Sequence, residues 1–245
     1  MKLQFIGCGD AFGSGGRFNT CFHITDRGVN FLLDCGASSL ISLKTHTVAL
    51  NNITLILVTH FHADHFGGIP FFLLNAQLVS RRTQPLIIAG PHGLRERFER
   101  VMEAFFPGSS NIPFRFDLTL IELQPGTTTA FGELQVTPFA VNHGNPGGPF
   151  FAYRIKAHNR IISYTGDTEW TDELIAVGNN ADVFIAEAYF FDKNIKLHLN
   201  YANLIEHVPL INARRLVLTH MSDDMLSNLS KISYEVAEDG KVVEI

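Results

Sequence analysis

Charge is scarce in this 245-residue sequence: 19 Lys and Arg stand against 24 Asp and Glu, a formal net charge of −5 at pH 7. A protein that grips a long phosphate backbone needs a broad basic footprint, so a long nucleic acid is not an expected partner. Long apolar runs are missing too. No stretch approaches the ~20 apolar residues that span a bilayer, and Met1 to Gly7 enters a strand-like run without the apolar core of a signal peptide. These absences predict a soluble, cytoplasmic protein with no membrane partner. The three cysteines, Cys8, Cys21 and Cys35, are odd in number and widely spaced. That pattern fits neither a disulfide framework nor a C-x-x-C metal site, and they read as reduced thiols. Apolar residues, by contrast, make up 46% of the chain, with 21 phenylalanines. They suffice for a large core, and residues 1–245 are expected to form a single domain.

The most concentrated chemistry lies in Thr59-His60-Phe61-His62-Ala63-Asp64-His65-Phe66-Gly67-Gly68. Three imidazoles and a carboxylate within six residues are ligands suited to zinc and similar divalent ions. Ile53 to Val58, short, continuously apolar and rich in β-branched residues, predicts a buried strand just before them. If its alternation continues, His60 and His62 share a face, while Asp64 and His65 fall in the turn and reach a second ion. Gly67-Gly68 then frees the backbone to turn into a largely apolar helix from Ile69 to Leu78. One strand-to-helix turn can thus serve two metals.

Three later strands end in the same way. Leu134 to Val141 delivers Asn142-His143-Gly144, Arg160 to Tyr164 delivers Thr165-Gly166-Asp167-Thr168, and Leu216 to Leu218 delivers Thr219-His220. Each of His143, Asp167 and His220 is a weak signal alone. Their shared place at strand ends argues for convergence on the first run. Asp34, closing the strand Gly28 to Leu33, is either an acid that orients a metal-binding imidazole or a helix N-terminal Asp. The glycine-rich stretch Gly7 to Arg17 lacks the Lys-Ser/Thr of a phosphate loop; it is a plain loop or one that contacts substrate, and Arg17 is a candidate phosphate partner. His23, His46, His92, His158 and His207 lack a comparable setting and are expected to be structural or at the surface.

With these residues in place, the sequence resembles the metallo-β-lactamase-fold hydrolases, in the branch of ribonuclease Z and the phosphodiesterases of phosphonate metabolism. The resemblance rests on Leu33-Asp34-Cys35-Gly36, the H-x-H-x-D-H run, His143, Gly166-Asp167-Thr168 and Leu218-Thr219-His220, and it spans nearly the whole chain. It implies an α/β fold: an αββα sandwich, two mixed β-sheets packed face to face with helices outside. It also implies two divalent metal ions per chain, Zn2+ first and Mn2+ or Fe as alternatives. His60, His62 and His143 would hold one, Asp64, His65 and His220 the other, and Asp167 would bridge them.

Within that branch Glu187 and His198 stand where ribonuclease Z-like enzymes carry a Glu and a His that assist protonation of the leaving group. Yet His143 and Asp167 are only 24 positions apart, too few for the long tRNA-gripping arm of ribonuclease Z. The expected function is therefore a dinuclear-metal phosphodiesterase acting on a small anionic substrate, cyclic diesters included. A hydroxide between the metals would attack phosphorus, with Asp64, His198 and Glu187 as catalytic residues. The alternatives are a ribonuclease Z-like RNA endonuclease, a hydrolase of sulfate esters, thioesters or lactones, and an iron-dependent dioxygenase. Relatives of this branch are often dimers, so a homodimer is admitted by analogy.

Overall fold

The computed structural model describes residues 1–109, 112–144 and 148–245. Two seven-stranded sheets form its centre. The first contains β1 (Lys2–Gly7), β2 (Cys21–Asp26), β3 (Val29–Leu33), β4 (Leu55–Leu57), β5 (Leu86–Gly90), β6 (Leu118–Glu122) and β14 (Val242–Glu244), in the order β14-β1-β2-β3-β4-β5-β6. The second contains β7 (Thr129–Phe131), β8 (Leu134–Val141), β9 (Phe150–Ala157), β10 (Arg160–Tyr164), β11 (Val183–Glu187), β12 (Leu216–Thr219) and β13 (Glu235–Val236), in the order β13-β12-β11-β10-β9-β8-β7. Both are mixed. The ladders from β3 to β6 and from β10 to β13 are parallel, and the others are antiparallel.

Strand alternation explains the layering. Leu55 and Leu57 point into the core between the sheets, beside Leu33, Phe151, Tyr153 and Ile185. Ile56 points the other way, into a core shared with the helices α1 (Ser39–Thr45), α3 (Ile69–Leu74) and α4 (Leu94–Phe105). On the second sheet Val183 and Ile185 face inward, while Phe184 packs outward with α5 (Glu173–Gly178), α6 (Tyr201–Ile211) and α7 (Asp223–Ser227). A strand buried on both faces must be apolar throughout, which is why these read as continuous apolar runs rather than alternating ones. The result is the expected αββα sandwich.

Local chemistry sets the boundaries. Helix α1 ends at Thr45, and Thr47 just past it adopts a left-handed φ of 54°. The helix expected from Ile69 to Leu78 is α-helical only to Leu74 and then widens into a π turn over Asn75–Val79. Among the described residues, no helix is long and apolar enough to cross a membrane.

The parallel strands deliver their carboxyl ends to one edge of the sandwich, where ligands bind in open α/β sheets. Cross-sheet bonds hold that edge together: Phe151 N–H donates to the Thr59 carbonyl at 3.0 Å, Tyr153 Oη–H to the Val58 carbonyl at 2.7 Å, and His220 N–H to the Cys8 carbonyl at 3.0 Å.

Candidate metal centre

The seven residues singled out in the sequence come together at this edge. His60 and His62 follow β4; Asp64 and His65 lie in the one-turn helix α2 (Ala63–Phe66); His143, Asp167 and His220 follow β8, β10 and β12. His60, His62 and His143 form one group able to hold a cation, and Asp64, His65, Asp167 and His220 a second, with ligand atoms in each group within 4.8 Å of one another. Asp167 lies between the groups. Its Oδ1 is 3.2 Å from His65 Nε2, and its Oδ2 is 3.1 Å from His220 Nε2 and 3.7 Å from His143 Nε2. All seven are buried except His62, which is exposed at the mouth.

The donor set fits divalent cations. His60 Nε2, His65 Nε2 and Asp167 Oδ1 are buried and make no hydrogen bond. A buried polar atom without a partner is costly, and three that converge on one space call for a ligand. Two of the imidazoles are also held with their other nitrogen toward that space. His65 donates from Nδ1 to Asp34 Oδ2 at 2.7 Å, and His143 from Nδ1 to the Leu197 carbonyl at 2.7 Å, so Nε2 of each ring faces the cluster. Asp34 also accepts from the Thr59 N–H at 2.7 Å and the Thr59 hydroxyl at 2.8 Å. Of its two expected settings, the carboxylate takes that of an imidazole's orienting partner.

Electrostatics agree with this division. Burial, with help from the charge of His65, holds His60 well below the usual imidazole range, and burial also lowers His62 and His143. Neutral imidazoles are the form that binds metal. Burial opposes charge on Asp167 as well, but His220 and His65 outweigh it and keep the carboxyl well below its ordinary range. For His65 burial is outweighed by Asp167, Asp64 and Asp34, which raise it well above its ordinary value. The same carboxylates would favour a divalent cation at its Nε2.

Beside the cluster a buried carboxylate meets a half-buried imidazole. Glu187, the last residue of β11 and fully buried, accepts a hydrogen bond from His198 Nδ1, and its other oxygen accepts from the Thr168 and Leu199 N–H groups. The His198 ring stacks on Tyr189, centroids 4.6 Å apart, and lies edge-on to His143 at 4.6 Å. Burial would lower His198, but the Glu187 carboxylate prevails and pushes it up to about 9.

These groups line a cavity of about 310 Å³ whose walls include Phe12, Tyr189, Lys196 and Leu197. Sequence reasoning missed all four as site residues, since an isolated Phe, Tyr, Lys or Leu carries no ligand signal. Arg17, the candidate phosphate partner, is turned elsewhere: its guanidinium donates to the Ala237 carbonyl at 3.0 Å and contacts Cys8 Sγ. Of the glycine-rich loop, Ala11 and Phe12 reach the cavity. His92 pairs with Glu122 at 2.8 Å, His23 with Asn30 at 2.9 Å, and His207 stacks on Trp170, so these three lie away from the cluster as expected.

Known proteins share this fold. The human short-form tRNase Z (ELAC1) superposes with a TM-score of 0.82 at 27% identity, covering 100% of this chain and 99% of that one. The metallo-β-lactamase-fold protein YhfI from Bacillus subtilis gives a TM-score of 0.78 at 23% identity over 99% of both chains. A ribonuclease Z of Methanosarcina acetivorans is 24% identical over 298 aligned positions, covering 100% of this chain and 96% of that protein. The alignment is longer than the 245 residues present here, so that relative carries segments this chain lacks. Zn(2+)-bound PqqB from Methylobacterium extorquens shares the fold at a TM-score of 0.76. The chain is a ribonuclease Z-like, metal-dependent hydrolase of the metallo-β-lactamase fold. Its residues 1–242 match the family described as anti-Pycsar protein Apyc1, and it belongs to that family.

Proposed function

We propose that the chain hydrolyses phosphodiesters at a dinuclear metal centre. One ion is assigned to His60, His62 and His143, the other to Asp64, His65 and His220, with Asp167 shared. Divalent cations there would acidify a water and draw charge from the phosphoryl oxygens. The rest is done by the chain. Asp34 and the Leu197 carbonyl keep His65 and His143 in the tautomer whose Nε2 is free. Asp64, buried beside His65 and His220, is placed to accept a hydrogen bond from the attacking water. His198, whose Nδ1 is pinned to Glu187, keeps Nε2 for a proton that it gives to the departing alkoxide.

The observation that carries this reading is the pairing of His198, on the cavity wall, with the buried Glu187 behind it. An alkoxide leaves a phosphodiester only with a proton, and a charged imidazole held by a buried carboxylate is suited to supply it. Thioester hydrolysis, whose thiolate leaves without a proton, has less need of such a group.

Two substrate classes remain. The names of the relatives, ribonuclease Z and tRNase Z, support RNA better than they support a small diester. The cavity of about 310 Å³ and the net charge of −5 support the small diester, and it is the class the geometry favours. The family description, anti-Pycsar protein, names a role rather than a reaction and is compatible with either. The deciding experiment compares kcat/KM of zinc- and manganese-loaded protein on small diesters, linear and cyclic, and on precursor tRNA. A higher value for the small diesters supports the proposal; preference for 3′ trailers of tRNA establishes the RNA reading. Inertness toward both, with sulfate esters or lactones hydrolysed instead, overturns phosphodiester chemistry.

A further inference from the structure

Resting on the assignment of His220 as a metal ligand, we propose that Asp239 is its remote positioning residue. This carboxylate, on the turn between β13 and β14, fastens the neck of the glycine-rich loop, and the neck aims the imidazole. The need for it follows from where β1 runs out of strand on one side. β14 pairs with β1 over Lys2–Gln4, and the next backbone bonds join Phe5 to Gly240 and Lys241. After Phe5 the register against β2 shifts, and the chain enters the loop. A backbone N–H taken from water needs an acceptor, and at the two ends of the loop a side chain provides it. Asp239 Oδ1 accepts from the Cys8 N–H at 3.0 Å and Oδ2 from the Phe18 N–H at 2.8 Å, while the Cys8 thiol donates to Oδ1 at 3.3 Å. Just inside, the Gly9 N–H donates to the Phe18 carbonyl at 2.7 Å. The neck is thus closed by one backbone bond and one carboxylate.

The neck grips His220 at two points. The Cys8 carbonyl accepts from the His220 N–H at 3.0 Å and from the Thr219 hydroxyl at 3.3 Å. The Thr20 hydroxyl, fully buried, donates to the Gly9 carbonyl at 3.3 Å and so accepts from His220 Nδ1 at 3.3 Å. That leaves Nε2 toward the cluster, 3.1 Å from Asp167 Oδ2. Cys8 carries Asp239 on its N–H and His220 on its carbonyl, so a displacement at one passes through a single residue to the other. His220 needs this grip because its φ of 56° is one that a residue with a Cβ keeps only under constraint. The tip of the loop does not depend on Asp239. Fully buried Asp10 ties it locally, accepting from the Phe12 and Ser14 N–H groups at 3.1 and 3.0 Å and from the Ser14 hydroxyl at 2.7 Å. Loss of the Asp239 carboxylate therefore loosens the neck and the ring it aims, and leaves the tip folded.

The test is a double-mutant cycle read as zinc affinity, by competition with a chromophoric chelator. Asp239→Ala removes both acceptor oxygens and should weaken one of the two ions about tenfold and the other by less than about twofold. Asp239→Asn keeps one acceptor oxygen and should weaken the same ion by a smaller factor, at least about twofold; it carries the test should the alanine variant fail to fold. In a His220→Ala background, where the ligand is already gone, Asp239→Ala or Asp239→Asn should change zinc affinity by less than about twofold. Glu235→Gln, which weakens the neighbouring pairs with Arg215 and Lys241, should keep wild-type zinc affinity and so separates the aiming of a ligand from a general loss of stability. Unchanged affinity in both Asp239 variants, a loss as large in the His220→Ala background as in wild type, or an equal loss in Glu235→Gln overturns the relay while leaving the dinuclear centre standing. Zinc affinity unchanged by His220→Ala itself removes the ligand assignment, and this inference with it.

Discussion

Replacing Glu187 by Gln tests the proton-donor role at one atom. Glu187 is fully buried; one of its oxygens receives His198 Nδ1–H and the other the Thr168 and Leu199 N–H groups, at 2.9 and 3.2 Å. In Glu187→Gln the amide oxygen can keep both backbone donors, so the fold survives, while His198 loses the carboxylate that sustains its charge. Burial then acts on His198 with only the charges of Asp167 and Asp64 opposing it, and its pKa falls from about 9 toward the ordinary 6.5. At pH 7.5 a pKa of about 9 leaves the ring about 97% protonated, and a pKa of 6.5 leaves it about 9% protonated, roughly a tenfold difference.

The sign follows from which form acts. The imidazolium is the donor, so activity is held below its pKa and lost as pH rises through it. On a diester with an alkoxide leaving group, kcat of the variant should fall up to about tenfold at pH 7.5 and recover toward pH 6, and the alkaline limb should move down by up to about two and a half units. On a nitrophenyl diester, whose leaving group departs without a proton, the change should be small. Cations held by the ligand cluster would lower His198 in wild type and variant alike, so the gap between the two profiles survives them. A limb that moves by less than about half a unit, or equal losses on both substrates, would show that His198 is not the donor.

Elemental analysis should find two divalent ions per chain; exposed His62→Ala should lose mainly one, Asp167→Ala should weaken both, and a fully active protein with one ion would refute the dinuclear assignment. Asp34→Asn leaves one acceptor oxygen for three donors, so zinc affinity by competitive chelation should drop about 10–100-fold, and unchanged affinity would show that the His65–Asp34 bond does not orient a ligand. In Gly36→Ala the new Cβ would stand 2.1 Å from the Asp64 carbonyl oxygen, a backbone atom that must move. Overpacking of this kind costs about 1–3 kcal/mol, a fall in Tm of about 2–12 °C for a chain of this size, and calorimetry showing no change would refute the close approach.

The interior of the fold was legible because the central strands are buried on both faces, so Ile53 to Val58 stood out as an apolar run. The sheet edges were not. β13 has two residues, and β7 and β14 three each, too short for any period to show. β14 exists because the end of the chain returns to pair with β1, matching Leu3 with Val243, and no local pattern announces a partner more than two hundred positions away. The one-turn helix α2 was hidden for a different reason: its Asp64 and His65 are there for their side-chain chemistry, so the usual apolar spacing of a helix is absent.

The candidate ligands were legible because imidazoles and carboxylates at strand ends have few other reasons to gather. The features that aim them were not, since they depend on backbone conformations with no sequence signature. Asp34, Leu197 and His220 all adopt left-handed φ values, 59°, 73° and 56°, which cost a residue with a Cβ about 1–3 kcal/mol. Each is held there by a long-range bond made at the site. The Asp34 carboxylate takes Thr59 and His65, the Leu197 carbonyl takes His143 Nδ1, and the His220 N–H reaches Cys8 on the other sheet. At Gly166 the chain uses glycine instead: φ is 60°, and a Cβ there would stand 2.5 Å from the Phe151 carbonyl oxygen. Glycine thus marks such a bend where neighbouring backbone leaves no room, whereas a bend stabilised by distant hydrogen bonds can be made by Asp, Leu or His. That is why Gly-Asp-Thr could be read as a site from sequence, while the turn that lets Leu197 hold His143 and brings Lys196 to the cavity emerged only once the chain was folded.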